Sequence, residues 1–219
     1  MPINMFLIPL NEKSGMARRY RSPAATISCR LACARAICAV AVLFVAALAG
    51  LHPVAAQGQT VAKAYPLPGH GALEVEVPGD WIDRVGRRRG SLLPTIRFGP
   101  SGQGKFMVLI TPGWNLRNDP TFNELPTLRA IVADTAKRVQ AQAVEPELRL
   151  QEIIGSAGRG FYFQATDRAP KPGEYKFMTQ GAMSVGDLMV VFTILTDHKN
   201  GPIVIQALDM LRGAGHRRN

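Results

Sequence analysis

From Ala36 to Leu51 the chain runs sixteen residues without a charge, AICAVAVLFVAALAGL, and five arginines lie within the twenty residues before it. Val54-Ala55-Ala56 follows, placing small side chains at the −3 and −1 positions relative to Gln57. A basic opening, an apolar run and a small-residue site form the pattern of a cleavable export leader. As a helix the run would span about 24 Å, short of the roughly 30 Å hydrocarbon core of a bilayer. Pro53 discourages extending it. Residues 1–56 are therefore expected to be removed, leaving a periplasmic or secreted protein; the alternative is an amino-terminal membrane anchor. The basic stretch is long for a signal peptide, so Met16 is an alternative start. Arg18-Arg19 sits in poor context for a twin-arginine signal.

Removal of the leader limits what can fold. Of 219 residues, 163 remain after Ala56, one domain's worth, which buries roughly 70% of its unfolded surface without a disulfide or metal. Cys29, Cys33 and Cys38 all lie in the leader, so the remainder can hold no disulfide, thiol nucleophile or cysteine-bound metal. Six of the 26 basic residues and one of the 16 acids are also there. The remainder thus carries a formal charge of +5, against +10 for the whole chain. That mild excess, with aromatic residues occurring in strand-like segments, argues against nucleic acid as a partner.

Residues 57–64 are small and polar and read as a linker. Leu73, Val75 and Val77 alternate with Glu74 and Glu76, the period of a half-buried strand with its acids outward. Pro78-Gly79 ends it, and Trp81 is expected to pack at the start of the core. Residues 84–90 read as a basic, glycine-bounded loop. Residues 95–98 and 106–111 are strand candidates, with Gly99 to Gly104 as a hairpin connection. Residues 112–120 read as a long loop. One long helix is expected over 126–143, because Leu128, Ile131, Val132, Thr135, Ala136 and Val139 follow helical spacing and Pro126 suits a first helical position. Residues 148–154, 160–166, 175–181 and 188–195 then read as four strands of an antiparallel meander. A helix over about 201–212 follows, and residues 213–219 read as a basic, frayed tail.

Antiparallel strands packed by one long helix and a carboxy-terminal helix make an α+β fold. The opening YPLPGHGALEVEVPGDW, the FMVLIT strand, and FYFQATD followed by YKFMTQG and VVFTIL resemble the Mog1/PsbP-like α+β sandwich domains over most of residues 65–212. The resemblance implies an exported bacterial relative of domains that, where understood, are non-catalytic accessory or binding modules. No functional motif of those proteins maps onto individual residues of this chain, so the implication concerns fold and general role.

Sites of chemistry are scarce in the pattern. His70, His198 and His216 are scattered, with no second ligand at metal-binding spacing. Ser156 in Gly155-Ser156-Ala157-Gly158 comes nearest to a nucleophile elbow but joins two strands. Gly99 to Gly104 and Gly155 to Gly160 lack the lysine and helix of a phosphate loop. No catalytic residue, metal or cofactor is assigned. Glu74 and Glu76 read as solubilising, and Glu145 and Glu147 as loop residues. The charge feature that stands out is Arg84 with Arg87, Arg88 and Arg89, whose guanidinium groups could hold phosphate or carboxylate or rest on an anionic membrane surface; a solvated loop is the plainer reading. The expectation is a non-catalytic binding or accessory module with a protein or other envelope partner. Its rivals are an enzyme using His70, Arg87 or Tyr175 in a polar pocket, and an anion or membrane-surface binder using the arginines at 84–89.

Overall fold

The computed structural model describes residues 59–87 and 92–219. Ten strands and two helices occupy them in the order β1 (Thr60–Pro66), β2 (Ala72–Pro78), β3 (Trp81–Arg87), β4 (Pro94–Pro100), β5 (Phe106–Gly113), α1 (Leu125–Val139), β6 (Gln151–Ile154), β7 (Arg159–Thr166), β8 (Phe177–Val185), β9 (Leu188–Thr196), α2 (Pro202–Arg212) and β10 (Gly215–Arg217). A single 3₁₀ turn, Gln140–Gln142, closes α1. The fold is α+β, with two antiparallel sheets: β1-β2-β10, and β3-β4-β5-β9-β8-β7-β6. Strands β6 to β9 form the expected meander, each pairing with the next. No described helix is long and apolar enough to cross a membrane.

Alternation along β9 shows how the large sheet is filled on both faces. Leu188, Val190, Phe192 and Ile194 enter one core, with Phe98, Val108 and Ile110, beneath the small sheet and α2. Met189, on the alternate face, joins Phe163, Ala165 and Ala182 under α1. Period-two side-chain direction requires this division. Helix α1 contributes Leu128, Val132, Ala136 and Val139, the predicted stripe, while Ile131 is only partly buried. Helix α2 contributes Val204, Ala207, Leu208 and Leu211, and adds Met210. Trp81 is buried against Phe98 and Phe106.

Three segments differ from their sequence reading. Residues 60–64, expected to lie in a linker, belong to β1, whose backbone is paired residue by residue with β2 from Thr60↔Pro78 to Pro66↔Ala72. Most of its side chains stay in water, so no apolar alternation announces it. Residues 84–87, expected in a basic loop, complete β3 and pair with β4 from Trp81↔Pro100 to Arg87↔Pro94. Residues 215–217, expected to fray, form β10 on the far side of β2. In each case backbone pairing with a neighbouring strand satisfies N–H and C=O groups that side-chain patterning says nothing about. The leader, including Met16 and the cleavage site, lies outside the described residues.

Candidate functional site

Four segments distant in sequence meet at the end of the small sheet. The β1–β2 connection turns through Gly69 and Gly71, at φ +76 and +75, with His70 between them. Gly71 is required twice over. Its φ favours glycine, and a Cβ there would lie 1.9 Å from the Arg217 carbonyl oxygen. That close approach lets β10 lie beside the turn and brings His216 under it. The His216 side chain is only 5% exposed. Its Nε2 lies 2.8 Å from the His70 carbonyl oxygen, and its Nδ1 lies 3.3 Å from the Asp187 backbone N–H. A carbonyl can only accept and an amide can only donate, so the neutral ring carries its proton on Nε2. The third segment is the β8–β9 turn, with Gly186 at φ +56. The Asp187 carboxylate there is gripped by both ends of the Arg218 guanidinium, Nε at 2.7 Å and a terminal nitrogen at 2.8 Å. The fourth is the loop after β5, where Trp114 stacks on the His70 imidazole at 4.4 Å between ring centroids and 21° between planes.

These groups line an open cleft of about 320 Å³. Its polar side chains are largely committed. Both nitrogens of His216 face backbone groups, and Asp187 faces Arg218. Asn115 folds onto its own loop, donating to the Asp119 carbonyl at 2.7 Å and accepting the Asp119 N–H at 2.9 Å. The His70 ring, flat against the indole, presents nitrogens with no hydrogen bond among the described residues. An exposed imidazole on an indole suits contact with a flat or anionic group. The described residues contain no group of three or more histidine, cysteine, aspartate or glutamate side chains placed to hold a metal ion.

Other residues singled out by sequence lie apart from this cleft. Tyr175 is at the opposite end of β5: Lys105, just before that strand, lies over its ring at 4.9 Å, whereas Trp114 follows the strand's last residue. Burial raises the Tyr175 phenol's pKa, the Arg97 charge opposes this, and Asp197 adds to it. Ser156 donates to the Arg212 carbonyl at 3.2 Å, tying the β6–β7 turn to the end of α2.

The arginine cluster is rearranged rather than assembled. Arg84 and Arg87 are three residues apart on β3, so strand alternation sends them to opposite faces. Arg88 and Arg89 lie outside the described residues. Arg84 instead stands directly across from Arg97 on β4. The same cross-sheet row continues through Leu109, Thr193 and Gln180 to Phe163. Phe163, at one end, is buried under α1. At the other end Arg84 and Arg97 are exposed, and Leu109 and Thr193 are half-buried. The next row runs from Ile82, 47% exposed, through Gly99 and the buried Met107 to Leu195, half-buried. Helix α1 packs on β7 and β8, and no described helix covers this face over β3, β4 and β5. Neither guanidinium has an ion-pair partner among the described residues. The Arg84–Arg97 juxtaposition was not legible locally, because it depends on the register of two strands.

No family model matches this chain, and no curated protein matches it.

Proposed function

We propose that this chain is an exported, non-catalytic binding module of the cell envelope, built on a sandwich of the Mog1/PsbP-like kind. The observation that carries the reading is the part of the large sheet over β3, β4 and β5 that no described helix covers, where exposed Ile82 and half-buried Leu109 and Leu195 lie beside exposed Arg84 and Arg97, around the buried Met107. An exposed isoleucine and half-buried leucines next to unpaired charge match the mixed composition of a docking face. The His70 cleft supports the same reading, since its carboxylate and buried imidazole are engaged in holding the carboxy-terminal strand. The leader pattern at residues 36–56 supports a periplasmic or secreted location, and the packing features shared with Mog1/PsbP-like domains support an accessory role.

A photo-crosslinking residue at position 82, compared with one at position 154, tests this in the cell that makes the protein. Ile82 lies on the open face, whereas Ile154, also exposed, lies on β6 at the far edge of the sheet. Discrete adducts from position 82 and none from position 154 are expected. Equal labelling from both, or none from position 82, would overturn the reading.

A further inference from the structure

Arg84 and Arg97 are opposed across the β3–β4 pair on the same face of the sheet. Like charges directly opposite one another destabilise a sheet, and nothing among the described residues neutralises these two. Carboxylates do lie nearby, but each has its own partner. Asp83, on the alternate face of β3, is bound to Lys63 of β1. Asp197 is paired with Lys105 at 3.1 Å. The two guanidinium groups therefore present their donors outward, in the fork geometry that grips carboxylates bidentately.

Resting on the binding-module reading above, we infer that this face docks an extended, acidic segment of a partner protein, its carboxylates on Arg84 and Arg97 and its alternate apolar side chains over Ile82, Leu109 and Leu195. Three observations select this occupant. First, charge is paired with apolar surface along one cross-sheet row, Arg84–Arg97–Leu109, so the ligand must carry both characters within a few residues. Second, β3 is the outer strand of its sheet and exposes Ile82 and Val85 on its two faces. A segment entering from this open edge can cross the face along the row from Arg84 to Leu109. Third, antiparallel pairing with a second copy through β3 would gather two copies each of Arg84 and Arg87 on one short strand pair, so self-association is opposed by charge. An anionic lipid surface fits less well. Each basic residue contributes about 1 kcal/mol there, and polybasic lipid-binding segments use clusters of several. Here the apolar side chains also stand within a pleated sheet and cannot insert.

The test uses the purified protein and three probes: a short fluorescent peptide of alternating glutamate and leucine, its lysine–leucine counterpart, and phosphatidylglycerol vesicles. The acidic peptide should bind, with affinity falling as salt is raised. Arg84→Gln with Arg97→Gln should weaken it about tenfold, equivalent to ~1.4 kcal/mol. Arg84→Glu with Arg97→Glu should reject it and bind the lysine peptide instead. Both arginines are exposed, so the variants should keep wild-type circular dichroism and melt no lower than wild type. The inference fails if the acidic peptide does not bind, if its binding ignores both arginines, or if vesicles rather than peptide bind in an arginine-dependent way. Adducts from position 82 that persist unchanged in the Arg84→Glu, Arg97→Glu protein would remove the acidic partner and leave the binding-module reading standing.

Discussion

Glu145 receives the backbone N–H of Thr166 at 2.8 Å and the same residue's hydroxyl at 2.6 Å, while Lys199 donates to it from the other side at 2.7 Å. One carboxylate thereby joins the segment after α1, the end of β7 and the loop after β9. The neighbouring backbone repeats the connection, with the Val144 N–H donating to the Thr166 carbonyl at 2.8 Å. From the sequence, Glu145 looked like an ordinary loop residue beside a proline. Its role depends on a threonine 21 residues away.

That arrangement makes stability depend on pH at acid. Burial pushes the Glu145 carboxyl upward, but the Lys199 bond and then the Thr166 hydroxyl and amide outweigh it, holding the pKa at about 2, below the usual 4.5. A depressed carboxyl stabilises the folded state fully above its unfolded pKa. The contribution shrinks as pH falls from about 4.5 and is gone below about 2. It is expected to be about 2 kcal/mol, reduced because Lys199 remains partly in water. Urea denaturation of wild type and Glu145→Gln across this range should show the two curves converging as pH falls. Parallel curves would contradict the assignment.

Gly69 and Gly71 separate backbone strain from steric exclusion. Both adopt nearly the same positive φ, but a Cβ at Gly69 meets nothing within 4 Å. Gly69→Ala should therefore cost only the left-handed penalty, about 1–2 kcal/mol. Gly71→Ala must also displace the Arg217 carbonyl, and should cost at least ~2 kcal/mol more, with β10 released from β2. Hydrogen exchange at residues 215–217 reads this directly: fast in Gly71→Ala and near wild type in Gly69→Ala. Equal protection in both variants would show that β10 does not depend on the close approach.

Tyr65 offers the opposite sign of effect. Its ring is buried edge-on to Phe98, with centroids 6.1 Å apart. Burial and then the nearby Asp83 carboxylate push its pKa far upward. Although Asp83 lies close, the buried phenol oxygen makes no hydrogen bond of acceptable geometry. Removing an unsatisfied buried hydroxyl relieves a desolvation cost without losing a bond. Tyr65→Phe should therefore be neutral or stabilising by up to about 1 kcal/mol. A lowered denaturation midpoint would show instead that the phenol donates to Asp83 in solution.

Much of the architecture could be read from local pattern. Alternation located β2, apolar runs between turn residues located the meander strands, and helical spacing located α1 and α2, because burial leaves its mark on the residues of each segment. Pro126 and Gly201 mark helix starts for equally local reasons: one lacks a donor where none is needed, and the other provides an extended N-cap. The candidate sites were less legible. His70 was visible as a residue between glycines, but neither its stack on Trp114 nor the His216 ring beneath it leaves a local signature.

Residues 60–66 and 215–217 show where local reading ends. Neither stretch carries apolar alternation, and each is a strand because β2 offers it a backbone ladder. Arg84 makes the same point for function. In the chain it belongs with Arg87, Arg88 and Arg89, a run that suggested one basic loop. In the fold, β3 extends through Arg87, turning Arg84 and Arg87 to opposite faces, and the register with β4 gives Arg84 a new neighbour in Arg97. Side-chain periodicity is a property of each segment and survives without its partners. Register, close approach and the meeting of distant charges are properties of pairs, and only the packed sheet determines them.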